Sequence, residues 1–388
     1  MSWPTVKLGD IAPSRPLKLA PIENNEEVWL LNLDMVESQS GRIINKVVGA
    51  VDEAGSSTHW FSSEHVLYSK LRPYLNKVVL PDSHGLATTE LVPMLPDPTR
   101  LDRRYLAHYL RSEKFVNWVS EQVAGAKMPR VSMKIFWDHE IPLPPLAEQK
   151  RIAVILDKAD AIRQKRKQAI DLADEFLRSV FLDMFGDPVT NPKGFPLGTI
   201  RDLVDTANYG TSGKASETDG EFPVLRMGNI TYQGGWDFTD LKYIDLTEKE
   251  LPKYLVHRGD LLFNRTNSRE LVGKTAVYNQ DEPMAFAGYL VRVRPNELGN
   301  NYYISGYLNS GHGKKVLVGM CKSIVGMANI NAQELQDIKI LLPPIEIQNQ
   351  YESLAKSVYE KTMTHKSSST ELELLFNSLS QKAFSGEL

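Results

Sequence analysis

Between Leu146 and Phe185 the chain has no proline or glycine, and Ile152, Ile155, Ala159, Ile162, Ala169, Ala173, Phe176 and Val180 recur mostly three or four residues apart. That spacing predicts one long amphipathic helix with charged residues on its other faces. At 1.5 Å per residue the run makes a rod of roughly 60 Å. Asp187-Pro188 and the Asn-Pro and Lys-Gly turn signals beyond it close the rod. A second helical run, from about Glu346 to Ala383, carries Ile347, Tyr351, Leu354, Val358, Leu372, Leu375, Phe376 and Leu379. Its middle, THKSSST at 364–370, is made of weak helix formers and predicts a kink or fraying. Each rod has one apolar face that must be covered. Antiparallel packing of one rod on the other covers both faces; either helix could instead cap its own domain.

The regions ahead of the rods read differently. Residues 1–142 hold short β-rich runs such as EVWLLNLDMV and NKVVLP between Gly, Pro and Ser turns, with a helix-rich patch at 101–122. Residues 189–341 repeat the mixture, with FPVLRMGNI, DLLFNR and MAFAGYLVRVRP as strand candidates. Both regions predict α+β domains. The order is therefore domain, helix, domain, helix, with boundaries at 1–142, 143–188, 189–341 and 342–388.

The two halves also share phrases. LPPLAEQKRI (143–152) and LPPIEIQNQY (342–351) each open on Leu-Pro-Pro and place a glutamine six residues after the leucine. Proline suits the first turn of a helix because it has no N–H to leave unpaired. Trp3-Pro4 through Leu8-Gly9 and Ile11 resembles Phe195-Pro196-Leu197-Gly198 and Ile200. VLYSKLRPYLNKVV (66–79) corresponds to DLLFNRTNSRELVGKTAV (260–277), and YLAHYLRS (105–112) to YYISGYLNS (302–310). MPRV (128–131) stands over MANI (327–330). Their common order, more than any one match, argues for a duplicated, pseudo-two-fold plan.

Composition narrows the function classes. The 388 residues are 42% hydrophobic and 24% charged, ordinary for globular domains. One cysteine, Cys321, excludes an internal disulfide framework and a Cys-rich zinc site. The start MSWPTVKLGDIAP lacks the basic-then-apolar pattern of a signal peptide, and no run is long and apolar enough to span a membrane. A cytoplasmic protein without membrane partners is expected. The net charge of −3 argues against a DNA-coating protein, although a local positive surface suffices for DNA binding.

Motifs of catalysis are missing. Gly273-Lys274-Thr275 looks like the tail of a P-loop, but Ser268 occupies the position of its first glycine. There is no G-x-G-x-x-G after a strand and no G-x-S-x-G elbow. The eight histidines show no metal-ligand spacing. Asn191-Pro192 continues as Lys-Gly and is not the Asn-Pro-Pro-aromatic site of adenine methyltransferases. No catalytic, metal or cofactor site is expected in this chain.

What remains is a pair of donor-rich loops. Ser69, Lys70, Arg72, Asn76 and Lys77 cluster in the first half, and Asn264, Arg265, Thr266, Asn267, Arg269 and Lys274 in the second. Thr88, Thr89, Lys127, Arg130, Arg226, Asn229 and Lys322 are further candidates. Arginine can address guanine with two bonds, asparagine can address adenine, and lysine, serine or threonine can hold phosphate. A solvated charged turn is the plainer alternative. Two such readers on a rigid spacer fit two short patches of duplex about one 34–36 Å turn or more apart. The basic run Arg163, Lys165, Arg166 and Lys167 could face the DNA backbone across the gap, or face solvent or a partner.

Taken together, LPPLAEQKRI, the helix running into DEFLRSVFLDMFGDP (174–188), YSKLRPYLNKVV (68–79) and the second Leu-Pro-Pro resemble the specificity subunit of a type I restriction-modification system. The resemblance covers nearly the whole chain. It implies two target-recognition domains, 1–142 and 189–341, separated by two conserved antiparallel spacer helices. It also implies double-stranded DNA, two modification (methyltransferase) subunits and restriction/translocase subunits as partners. S-adenosylmethionine would belong to the modification partner, and ATP and Mg2+ to the restriction partner. The implied function is reading a bipartite target and directing adenine methylation and, with the restriction subunit, cleavage. Ile152, Ile155, Ala159, Ile162 and Phe176 would form the seam with Tyr351, Leu354, Val358, Leu372 and Leu375. Because the second loop lacks the Arg-Pro turn and MPRV becomes MANI, contacts do not transfer residue by residue between copies. The competing readings are a standalone DNA-modifying enzyme with an unrecognised site, and an adaptor of the same fold that no longer binds DNA.

Overall fold

The proline-free run forms one helix, Leu146–Phe185, and the second run forms another, Ile345–Ser385. A computed structural model of the chain describes residues 3–18, 27–125, 127–321 and 327–388, without the side chains of 364–370. The expected break at 364–370 does not occur; the backbone there stays helical. Propensity differences of a few tenths of a kcal/mol per residue are too small to interrupt a helix whose flanks are anchored by packing.

The chain divides into two units, one of Met1–Lys167 with Ser367–Leu388 and one of Gln168–Lys366. In the first, the strand Val66–Ser69 lies between Val78–Val79 and Leu91–Met94. A four-stranded sheet runs Val47–Gly49, Val28–Leu31, Gly85–Thr88, Thr58–Phe61, its central pair parallel. Helices Arg103–Arg111 and Glu113–Glu121 follow, capped by the side chains of Asp102 and Ser112. Val66, Leu67 and Tyr68 are all buried, which explains a continuous apolar run where a half-exposed strand would alternate.

The second unit repeats this plan. Leu261–Asn264 lies between Thr275–Val277 and Leu290–Pro295, with Val204–Tyr209 added at the edge. Its other sheet runs Lys242–Ile244, Phe222–Leu225, Met284–Phe286, Leu255–Val256, again with a parallel central pair. Helices Asn301–Asn309 and Gly311–Met320 are capped by Asn300 and Ser310.

The repeated Leu-Pro-Pro phrase is the joint between each domain and its helix. Gln149 is fully buried; its Oε1 accepts from Asp102 N at 2.8 Å, and its Nε2 donates to Arg100 O and Pro144 O at 2.8 Å. Gln348 does the same with Asn300 N (2.9 Å), Leu298 O (3.0 Å) and Pro343 O (2.8 Å). Each glutamine thus ties the start of a long helix to the cap of a domain helix. Tyr105 and Tyr303 secure the strand before each phrase through Pro142 O and Leu341 O.

The same joints correct the register of the leading segments. Thr5–Lys7 pairs with Glu140–Pro142, and Leu197–Thr199 with Lys339–Leu341. Leu8 N donates to His139 O and Ile200 N to Ile338 O. Leu8 is therefore the counterpart of Ile200, and the Leu-Gly dipeptides at 8–9 and 197–198 do not correspond. The strand pairing sets the register, and the shared dipeptide is incidental.

Within each unit the start of one long helix meets the end of the other, so the helices run antiparallel. In the first, Ile152, Ala153 and Leu156 share a core with Ala383, and Arg163 lies 4.0 Å over the Phe376 ring. In the second, Phe181 and Phe185 pack edge-on against Tyr351 at 5.4 and 5.6 Å. Of the expected seam residues, Ile152 and Tyr351 are buried, and Ile155, Ala159, Val358 and Leu372 are half-buried. Ile162, Phe176, Leu354 and Leu375 are exposed and do not form a covered seam; Leu156, Leu177, Phe181 and Ala355 take that place. The apolar stripe is wider than one seam, and periodicity alone does not select which edge faces inward. No helix among the described residues is long and apolar enough to cross a membrane.

Candidate nucleic-acid interface

Each central strand ends in a loop held by the same backbone bonds. Ser69 N donates to Lys77 O at 3.1 Å, and Asn264 N to Lys274 O at 2.8 Å. One residue on, Lys70 N donates to Glu90 O (3.0 Å) and Arg265 N to Tyr289 O (3.1 Å). The carbonyls of Lys70 and Arg265 accept from Val131 N (3.1 Å) and Ile330 N (2.9 Å). MPRV and MANI are therefore the strand segments that cross these loops, joined at Leu71–Arg130 and at Thr266–Asn329.

Several expected donors face inward. Lys77 Nζ donates to Leu33 O at 2.6 Å and Lys274 Nζ to Met227 O at 2.8 Å, the opening residues of equivalent 3-10 turns. Burial holds the pKa of both lysines below the usual range. Lys274 thus spends its amine on a backbone carbonyl, opposite to what a P-loop lysine does. Ser69 is buried and donates to Leu71 O. Asn76, left-handed at φ +50°, is buried and donates to Arg111 O. Asn229 is buried, accepting from Arg226 N and donating to Asp237 O and Asp240 O. Asn264 is fully buried, its Nδ2 without a hydrogen-bond partner among the described residues. Thr266 is buried in the strand pair. These seven residues build the loops, and loop-building is work enough to explain them.

Others remain at the surface. In the first unit Arg72 (φ +48°) and Lys127 are exposed, Lys70, Thr88 and Thr89 half-buried. Arg130 forks onto Glu90, with Nη2 to Oε1 at 2.8 Å and Nε to Oε2 at 3.1 Å. Arg130 and Lys70 hold the Glu90 carboxyl below its ordinary range. In the second unit Arg269 is exposed and Asn267 half-buried, its Oδ1 accepting from Ser268 N. Arg226 is ion-paired with Asp240 at 2.8 Å. Arg265 donates from Nε to Gly288 O (3.0 Å) and from Nη1 to Asn329 Oδ1 (3.3 Å), its guanidinium 4.9 Å over the Tyr209 ring. Lys322 lies outside the described residues.

The basic run of the first helix is partly engaged. Arg163 pairs with Asp160 (2.9 Å) and Glu373 (2.7 Å), and Lys167 with Glu37 (2.6 Å); Arg163 is thus a packing residue. Lys167 and Ser40 push Glu37 down to about 2. Sequence reasoning missed Glu90, Tyr209, Tyr289 and Asn329, which border the loops. Asn329 was within reach, because the MPRV–MANI alignment sets it opposite Arg130; Tyr209 and Tyr289 lie in strand-like runs with no donor clustering to mark them. Among the described residues no three His, Cys, Asp or Glu side chains are grouped to hold a metal ion.

Residues 2–172 and 192–374 match the family described as Type I restriction modification DNA specificity domain. The type I restriction enzyme EcoKI specificity subunit of Escherichia coli (strain K12) is 25% identical over 303 residues, covering 73% of this chain and 65% of that protein. The StySPI specificity subunit of Salmonella potsdam is 26% identical over 315 residues, again 73% and 65%. The chain thus spans about 65% of the length of these relatives. Among solved structures, the type I restriction-modification S subunit from M. genitalium superposes with a TM-score of 0.61 at 14% identity, over 99% of this chain and 96% of that one. A chain from a structure concerned with complex assembly and conformational transition of the type I R-M system gives 0.53 at 20%, over 100% and 98%. These two likenesses establish the duplicated fold.

Proposed function

Because the chain belongs to the type I restriction-modification DNA specificity family in both of its halves, we propose that it is a non-catalytic subunit that reads a bipartite DNA target. The observation that carries this reading is one backbone frame built twice and dressed with different surface side chains. A shared frame with unlike donors and acceptors is what two half-sites of different sequence require. Each unit reads one half-site. Modification subunits docked on the chain bring S-adenosylmethionine and methylate adenine; restriction subunits bring ATP and Mg2+ for translocation and cleavage.

The test is methylation mapping on DNA exposed to this chain with the modification subunit from the same source, and to each component alone. A split motif methylated only by the pair supports the proposal. Methylation by this chain alone refutes the non-catalytic assignment in favour of a standalone modifying enzyme. A stable complex that neither methylates nor binds duplex refutes DNA reading in favour of an adaptor.

A further inference from the structure

In each unit a single residue sits at the crossing of three chain segments. Lys70 is fixed there by Glu90 O and Val131 N, and Arg265 by Tyr289 O and Ile330 N. Backbone bonds set the direction of a Cα–Cβ vector whatever the side chain is. The side chains beside the two posts therefore occupy equivalent places: Glu90 with Tyr289, and Arg130 with Asn329. All three pairs differ in side chain, whereas the inward-facing lysine of each loop is the same, Lys77 and Lys274 each donating to the opening carbonyl of a 3-10 turn.

Arg265 is the better defined post. Gly288 O, Asn329 Oδ1 and the Tyr209 face hold its guanidinium in one plane. Those bonds engage only two of its five N–H groups. A guanidinium fixed in this way loses little further freedom when it forks onto a base edge. The fork matches O6 and N7 of guanine in the major groove. Tyr289, beside it, is 53% exposed and Asn329 is exposed, so the post is open to a duplex. In the first unit the corresponding place presents Lys70 and the Glu90–Arg130 pair, a surface of a different hydrogen-bonding pattern.

We propose that the posts at Lys70 and Arg265, with Glu90/Arg130 and Tyr289/Asn329 beside them, are the specificity-determining positions of the two domains, and that Arg265 reads a guanine. This rests on the DNA-reading function proposed above. It assigns base reading to three positions per domain and leaves Arg72, Lys127 and Arg269 to the phosphate backbone.

The test uses the full chain with its modification subunit and a library of duplexes randomised at every position of the wild-type target, scored by sequencing the methylated pool. Arg265→Gln is expected to lower the preference for guanine roughly tenfold or more at one position of one half-site. The other half-site, read by the other unit, stays unchanged and reports that the complex is intact. Glu90→Gln is expected to alter only the opposite half-site. Arg269→Gln is expected to change no base preference. Should Arg265→Gln abolish methylation, Arg265→Lys decides: weakened guanine preference at the same position supports the proposal. Loss with both variants makes Arg265 a structural residue and overturns it, as does an unchanged motif in both. A wild-type pair that yields no split motif overturns the DNA-reading function itself, a result distinct from either.

Discussion

Replacing Gln149 with leucine removes three hydrogen bonds from a site that water does not reach, while keeping most of the side-chain volume. Gln149 is fully buried, and its three partners are the amide of Asp102 and the carbonyls of Arg100 and Pro144, all at 2.8 Å. A net loss of about 1 kcal/mol for each bond makes the substitution cost roughly 3 kcal/mol. The added apolar contact of leucine returns part of this, and any carbonyl that relaxes toward water returns more. The expected net loss is about 2–3 kcal/mol, which is roughly a 30- to 150-fold shift in the opening equilibrium.

Hydrogen exchange on the full chain reads this locally. In the wild type the Asp102 amide donates to Gln149 Oε1, its one hydrogen-bond partner among the described residues, and the helix it caps, Arg103–Arg111, depends on that cap. Q149L is expected to accelerate exchange at Asp102 and along that helix, while Asn301–Asn309 in the other unit exchanges as before. Q348L is expected to give the mirror result, since Asn300 N and Gln348 Oε1 form the equivalent bond. Local opening energies resolve the two units, which a single global transition would not. If Q149L leaves the helix protection within about 0.5 kcal/mol of wild type, the repeated glutamine is not the joint argued here.

Further expectations follow from the same contacts. Burial against Trp118 and Phe115, aided by Lys114, pushes His139 down to about 4. The unfolded chain takes up this proton below about 6.5 and the folded chain only below about 4, so stability is full above 6.5 and falls as pH drops between those values. After discounting for partial exposure the loss is roughly 2 kcal/mol; denaturant melts at pH 7 and 4 on wild type and H139Q should show a shallower decline in the variant. Lys274→Met is expected to lower stability by about 1–2 kcal/mol, because Met227 O loses a charge-assisted bond. It should not change the salt dependence of duplex binding, whereas Arg269→Gln should reduce the slope of log K against log salt by about one. Gly41→Ala is expected to cost about 2 kcal/mol or more in thermal or urea unfolding. Its φ is +65°, and an added Cβ would lie 1.9 Å from Val78 O, a backbone atom with no room to yield.

Much of the architecture was legible because its signals are periodic or covalently local. Forty residues without proline or glycine, apolar at helical spacing, permit little besides a long helix, and Leu-Pro-Pro with a glutamine six residues after the leucine marks a joint whose bonds that side chain must make. The candidate site was less legible, because donor content does not reveal donor direction. Lys77 and Lys274 have the reach to turn inward onto a 3-10 turn, Asn76 satisfies the carbonyl of Arg111 at a helix end, and Asn229 satisfies backbone groups within its own loop. A count of polar residues weighs these equally with Arg72 and Arg269.

The residues that sequence reasoning missed show where the limit lies. Glu90 and Tyr289 lie outside the two donor-rich loops, each in the turn just before a strand, and their importance comes from main-chain carbonyls that grip Lys70 and Arg265. Every residue type offers that carbonyl, so the grip leaves no trace in side-chain identity. The same indifference lets the side chains at a post change without disturbing the frame. Gln149 and Gln348, which make the same three bonds through their side chains, are alike in the two copies. A duplicated reader can therefore diverge in what it reads at positions held by backbone, and in this chain the side chains at Lys70 and Arg265, Glu90 and Tyr289, and Arg130 and Asn329 differ.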